Sequence, residues 1–173
     1  AAMSDRFFEE LGLPEPDVNL GVGSGTHAVQ TGKILIEFDP VLERERPDWV
    51  VVYGDVNSTV ACALAAVKRG IRVAHVEAGL RSFDRTMPEE INRILTDQLA
   101  DLCLTPSRDG NFNLAAEGIP ADRVKLVGNV MVDTLFRLRP TARQRGMPAE
   151  LGVEGLPFAL VTLHRPSNVD SRE

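Results

Sequence analysis

Short runs of β-branched and aliphatic residues recur along this chain, each followed by a stretch with helical periodicity. That alternation restricts the available folds more than any other feature. Trp49-Val-Val-Val-Tyr53 is apolar throughout, as a strand covered on both faces should be. Residues 72–76, 102–105, 124–127 and 158–163 have the same character, and 17–20 is a weaker first candidate. Between them, residues 26–46 carry Ile34, Leu35, Phe38, Val41 and Leu42 on one helical face. Residues 58–69 read as a helix closed by Gly70. Residues 88–100 place Ile91, Ile94, Leu95 and Leu99 on one stripe, and 111–117 and 130–138 are two further helices. Strand followed by helix, repeated, predicts an α/β fold with a parallel sheet and right-handed crossovers. The five clear strands are expected in one sheet, with positions 55, 77 and 164 on loops at its carboxyl side.

The chain is long enough for about one domain at 173 residues. With aromatics at 5%, its core has to be built from Val, Leu, Ile and Ala. Nineteen Lys and Arg against 25 Asp and Glu give a net charge of −6, without a basic run, which argues against nucleic acid or an anionic membrane as the main partner. No apolar stretch approaches the ~18 residues of a membrane span. Cys62 and Cys103 fall in a predicted helix and a predicted strand without CxxC spacing, pointing to a reduced cytoplasmic setting rather than a disulfide scaffold. The expected organisation is a domain over 1–138 whose first strand is missing, an Arg-, Gly- and Pro-rich linker over 139–157, and the opening of a second domain over 158–173. A short amphipathic helix is expected over 1–11.

Ligands of open parallel sheets bind beyond the carboxyl ends of the strands. There this chain carries Gly54-Asp55-Val56-Asn57-Ser58-Thr59, then Glu77-Ala78-Gly79-Leu80-Arg81, then Gly128-Asn129 and His164-Arg165-Pro166-Ser167-Asn168. Each has a plainer reading. Asn57 or Ser58 could cap a helix. Thr86-x-x-Glu89 fits a capping box, in which Glu89 only satisfies a backbone donor. His75, inside an apolar strand, reads as a core histidine. Gly21-Val-Gly-Ser-Gly25 lacks the third glycine of a dinucleotide fingerprint, and there is no GxSxG elbow or Walker sequence. His27, His75 and His164 lack metal-ligand spacing, so no metal is expected.

Taken in order, Tyr53-Gly-Asp-Val-Asn-Ser-Thr59, His75-Val-Glu-Ala-Gly-Leu-Arg81, Met87-Pro-Glu-Glu-Ile-Asn-Arg93, Val127-Gly-Asn-Val-Met-Val-Asp133 and Thr162-Leu-His-Arg165 resemble the non-hydrolysing UDP-N-acetylglucosamine 2-epimerases. The resemblance covers essentially the whole chain. It implies a Rossmann-like domain, one half of a GT-B arrangement whose active site lies between two halves, in a cytoplasmic homodimer. It lacks the family's opening Gly-Thr-Arg-Pro-Glu segment and nearly all of the second domain, so the chain is expected to be an interior fragment. Carried over residue by residue, the catalytic set falls on Asp55, Glu77, Glu89 and His164. Asn57, Arg81, Arg85, Arg93 and Arg165 are the expected substrate contacts, with Arg81, Arg85, Arg93 or His164 available to neutralise the pyrophosphate. His164-Arg-Pro-Ser-Asn168 stands where the family often reads His-Arg-Arg-Glu-Asn, the segment tied to activation by a second UDP-GlcNAc.

The implied reaction interconverts UDP-GlcNAc and UDP-ManNAc. UDP is eliminated across C1–C2 to give 2-acetamidoglucal, then re-added with the proton delivered to the other face. It needs a base, an acid and stabilisation of the leaving diphosphate, and no cofactor. The alternatives are an epimerase for a related UDP-diacetamido sugar, a GT-B glycosyltransferase, and a truncated, non-catalytic UDP-sugar-binding module. The isolated 173-residue piece is expected to be inactive.

Overall fold

The computed structural model describes Phe8 and residues 11–163. Of the helix expected over 1–11, Phe8 and Leu11 are helical, and the rest lies outside the described residues. The chain forms two compact units, 1–129 and 130–173.

The first unit contains α1 (His27–Glu45), β1 (Trp49–Tyr53), α2 (Asn57–Lys68), β2 (Arg72–Val76), α3 (Pro88–Leu99), β3 (Leu102–Thr105), α4 (Arg108–Ala116), a 3-10 turn (Ala121–Arg123) and β4 (Val124–Leu126). The four strands form one parallel sheet in the order β1-β2-β3-β4, with Tyr53 opposite Val76, His75 opposite Cys103 and Cys103 opposite Val124. The parallel sheet with helices packed on it is the expected α/β, Rossmann-like class.

Local chemistry accounts for the boundaries. Thr26 caps α1, its hydroxyl accepting from Val29 N–H at 3.3 Å. Gly70, at φ +73°, ends α2: its N–H reaches Val67 O and the Ile71 N–H reaches Ala66 O, both at 3.0 Å. The predicted face of α1 is the one turned inward, with Ile34 and Leu42 buried. The core gathers Leu42, Val50, Val52, Ala66, Val73 and Leu114, with Cys103 among them. Burial pushes the Cys62 thiol up to about 11 and the Cys103 thiol up to about 12, so neither is a nucleophile near neutrality.

Four expectations are corrected. β1 is not covered on both faces: Val50 and Val52 point inward, while Trp49, Val51 and Tyr53 stay exposed, because β1 is the edge of this sheet. Residues 17–20 form no strand; Asn19 folds its side chain onto the Gly21 N–H instead. Residues 158–163 form no strand either. No neighbour supplies ladder bonds among the described residues, and Phe158, Leu160 and Leu163 are exposed. The fourth concerns α3, whose inward face is only partly the predicted stripe: Leu99 packs against the core. Glu90, Thr96 and Asp97 are buried, and Leu95 is 49% exposed.

The second unit is described by itself. Helix α5 (Val130–Gln144) runs six residues past 138 into the stretch read as a linker, carrying Pro140 within it, and α6 (Met147–Glu150) follows. No α5 residue is buried, and Leu135 and Phe136 are both largely exposed.

Candidate active site

The carboxyl ends of β1 and β2 meet side by side. Gly54 takes φ +64° and donates to Val76 O at 3.1 Å, which carries the ladder one step past Tyr53. Just after β2, Glu77 itself has φ +75°, a left-handed conformation costly for a residue with a β-carbon. The Glu77 and Ala78 N–H groups both donate to Leu104 O, at 3.1 and 3.2 Å, and hold that bend. The Glu77 carboxylate lies against Gly54: a β-carbon built there would be 3.5 Å from Glu77 Oε2. Asp55 follows at once, so the first two predicted acids sit at adjacent strand ends.

Gly79 is required where it stands. Its φ is +81°, and a β-carbon there would sit 2.5 Å from Gly110 O, backbone against backbone at the start of α4. Asn113 Nδ2 donates to Gly79 O at 2.8 Å on the same turn.

Helix α3 supplies the third wall. Pro88 opens it, and Met87 is its N-cap without a side-chain bond. The capping box is therefore not made. Thr86 Oγ1 donates to Asp84 Oδ1 at 2.6 Å, and Glu89 is left half-buried. Glu89, Asn92 and Arg93 share one helical face by their three- and four-residue spacing. Arg93 pairs with the Asp55 carboxylate through Nη2 and with Glu90 Oε2 through Nη1 at 3.3 Å. Asn92 Nδ2 donates to Asp55 O at 2.9 Å and to Asn57 Oδ1 at 3.2 Å. Asn57 does not cap α2; its amide donates to Gln30 Oε1 at 2.7 Å and approaches His27 Nδ1 at 3.0 Å.

The carboxylates differ in their surroundings. Asp55 is clamped by Arg93, whereas Glu77 and Glu89 have no side-chain hydrogen bond or ion pair among the described residues. Glu90 is buried and structural. Burial pushes its carboxyl up, but the Ser82 N–H and hydroxyl, both at 2.9 Å, the Phe83 N–H at 3.0 Å and the Arg93 charge outweigh that and hold it below the ordinary glutamate range.

The predicted cations separate as well. Arg93 reaches the acids, and Arg85 is exposed on the loop before α3. Arg81 is interior: its side chain is 1% exposed and is held by Asp97 Oδ2 at 2.7 Å, Glu117 Oε2 at 2.6 Å and Leu80 O at 2.6 Å. These bonds, with burial opposing them, raise its pKa further, so it stays cationic. His164 and Arg165 lie outside the described residues. His75 is fully buried, as a core histidine, yet both ring nitrogens are engaged, Nδ1 with Asp97 Oδ1 at 2.6 Å and Nε2 with Gly54 O at 2.8 Å.

Sequence reasoning missed Glu90, Asn92, Asp97, His27 and Gln30. Asn92 lay inside the Pro-Glu-Glu-Ile-Asn-Arg motif and could have been found there. Asp97 carried no signal beyond being a carboxylate seven residues beyond Glu90, on the same helical face. Among the described residues no three His, Cys, Asp or Glu side chains converge as metal ligands, and no helix is long and apolar enough to cross a membrane.

The arrangement can move protons from half-buried acids beside a fixed carboxylate–guanidinium pair. It stands at the strand-end position where parallel sheets take ligands. Known proteins resemble this chain in sequence and fold. A protein of Methanocaldococcus jannaschii, the UDP-N-acetylglucosamine 2-epimerase, is 51% identical over 174 residues, 99% of this chain and 48% of its own length. Its crystal structure in complex with UDP-GlcNAc and UDP superposes with a TM-score of 0.86 at 49% identity, covering 96% of this chain and 46% of that one. The UDP-2,3-diacetamido-2,3-dideoxy-D-glucuronate 2-epimerase of Pseudomonas aeruginosa is 47% identical over 173 residues, 98% of this chain and 48% of its length. The chain thus spans about half the length of the curated relatives it matches. The sequence profile of the UDP-N-acetylglucosamine 2-epimerases matches residues 1–173 from end to end, and this chain belongs to that family.

Proposed function

We propose that the intact protein containing this chain interconverts UDP-GlcNAc and UDP-ManNAc by eliminating and re-adding UDP. The observation that carries the reading is the pairing of Asp55 and Glu77 at neighbouring strand ends, with Glu89, Asn92 and Arg93 on one face of α3. A base takes the C2 proton as the C1–O bond breaks and its electron pair leaves with UDP. The glucal double bond then accepts a proton at C2 from the opposite side as UDP re-adds at C1. Glu77 and Glu89, free of partners among the described residues, are suited to carry these protons. Asp55, paired with Arg93, fixes the cation of the site. Arg85, Asn57 and, beyond the described residues, His164 and Arg165 belong to the substrate contacts in this reading. Arg81 acts on them only through its buried partners.

On this reading residues 1–138 belong to the first GT-B half, 139–157 connect it to the second, and 158–173 open that second half. The homodimer and the cytoplasmic location rest on the family resemblance. The 173-residue chain alone should show no turnover of UDP-GlcNAc, because positioning a diphosphate between two walls needs both.

Given UDP-GlcNAc in D2O, the intact protein should incorporate deuterium at C2 and release traces of UDP and 2-acetamidoglucal. Epimerisation without deuterium uptake rules out the elimination route. A second reading, a UDP-diacetamido-sugar epimerase, draws on the 47% identical Pseudomonas relative, which matches over the same span. Parallel assays with both sugars decide between them.

A further inference from the structure

Beneath the two strand ends lies a buried pair that the proposed chemistry does not use. His75 and Asp97 are both fully buried. The acceptors around His75 fix its protons. The Gly54 carbonyl oxygen, 2.8 Å from Nε2, has only lone pairs to offer, so Nε2 bears hydrogen. Nδ1 faces Asp97 Oδ1 at 2.6 Å. The other oxygen of Asp97 accepts from the Arg81 guanidinium at 2.7 Å and the Gly79 N–H at 3.1 Å, the surroundings of an ionised carboxylate. An ionised Asp97 can only accept, so Nδ1 bears hydrogen too.

The pair also touches both functional loops. His75 holds the carbonyl of Gly54, the residue before Asp55; Asp97 holds the N–H of Gly79, two residues after Glu77. Glu77 sits in a left-handed conformation that persists only where its surroundings determine it.

We propose that His75 is a positioning residue that works as a doubly protonated imidazolium, paired with Asp97, to set the Asp55 and Glu77 carboxylates relative to one another. Around it stand Asp97 of α3, Arg81 after β2, Glu117 after α4, Cys103 of β3 and, beside Cys103, Arg123. His75 and Arg81 each face a carboxylate, Asp97 and Glu117, so the imidazolium is buried against a counter-charge rather than alone.

The proposal rests on the epimerase reading for its kinetic test but not for its protonation test. In the intact protein labelled with 15N-histidine, His75 should show two proton-bearing ring nitrogens between about pH 6 and 8, the range in which an ordinary histidine titrates. A single proton-bearing nitrogen throughout overturns the proposal. With UDP-GlcNAc as substrate, H75Q should lower kcat by about 10²-fold, the scale expected when reacting groups are misplaced by an ångström, with KM within about threefold. D97N should do the same, and the double variant should cost no more than either single change. A folded H75Q with kcat unchanged, or a loss confined to KM, overturns the positioning role. If H75Q does not fold, D97N and the wild-type spectrum decide. If the wild-type protein leaves UDP-GlcNAc untouched, the proposed function fails. The spectrum still decides the protonation, and the diacetamido sugar then serves for the kinetic comparison.

Discussion

Helices α2 and α3 follow consecutive strands of the same sheet yet are held by different chemistry. Helix α2 buries Thr59, Val60 and a run of alanines, Ala61, Ala63, Ala65 and Ala66, so its contribution is close apolar packing. Helix α3 has the more obvious apolar stripe in sequence, but it turns Glu90, Thr96 and Asp97 inward. Each of these three buried polar residues has a partner. Glu90 is bonded from Ser82 and Phe83, Thr96 Oγ1 donates to Asn92 O at 2.7 Å, and Asp97 meets His75, Gly79 and Arg81. The helix that carries Glu89 and Arg93 is held by directional hydrogen bonds and ion pairs as well as by packing of Leu99.

If that division is right, removing one bonded charge from α3 should cost most. Asp97→Ala strands His75 and the Gly79 N–H and should destabilise the unit by about 3–5 kcal/mol in urea unfolding. On α2 the vulnerable change is an enlargement. Ala66→Leu, at a position without exposed surface, should cost about 1–3 kcal/mol by overpacking. The Glu90 contribution should depend on pH. Its carboxyl titrates lower folded than unfolded, so its stabilisation is complete above the ordinary glutamate range and is lost as the pH falls through the folded value. Unfolding of wild type and E90Q compared at neutral pH and at pH values below the ordinary glutamate range should therefore show their gap narrowing toward acid; a gap constant with pH assigns Glu90 no such part. The smallest effect is expected at Leu95→Ala, within about 1 kcal/mol because half the side chain is already in water. A loss of several kcal/mol there would restore the apolar stripe and dissolve the contrast.

The strand–helix alternation was legible because parallel strands and their covering helices each impose a period on the sequence, and four strands and the helices between them fall where those periods place them. Position at a strand end likewise made Asp55 and Glu77 readable. The polar part of the inward face of α3 was not, since periodicity identifies a face by hydrophobicity and cannot see that Asp97 has a histidine waiting on β2. The openness of β1 and the missing ladder at 158–163 depend on neighbours, which no local pattern reports. Arg81 looked like an anion ligand for the same reason: the carboxylates that enclose it come from positions 97 and 117.

The contact between Gly79 and Gly110 bears on how such a protein can change over time. A β-carbon at Gly79 collides with the backbone of Gly110, and one at Gly110 would press on Ala78 O at 3.1 Å. Substitution at Gly79 is excluded by this collision, whereas one at Gly110 requires Ala78 O to give way by a few tenths of an ångström. The turn that aims Glu77 is thereby closed to gradual redesign. Change has more room in segments that keep clear of this contact, such as the exposed 83–86 stretch bearing Phe83 and Arg85.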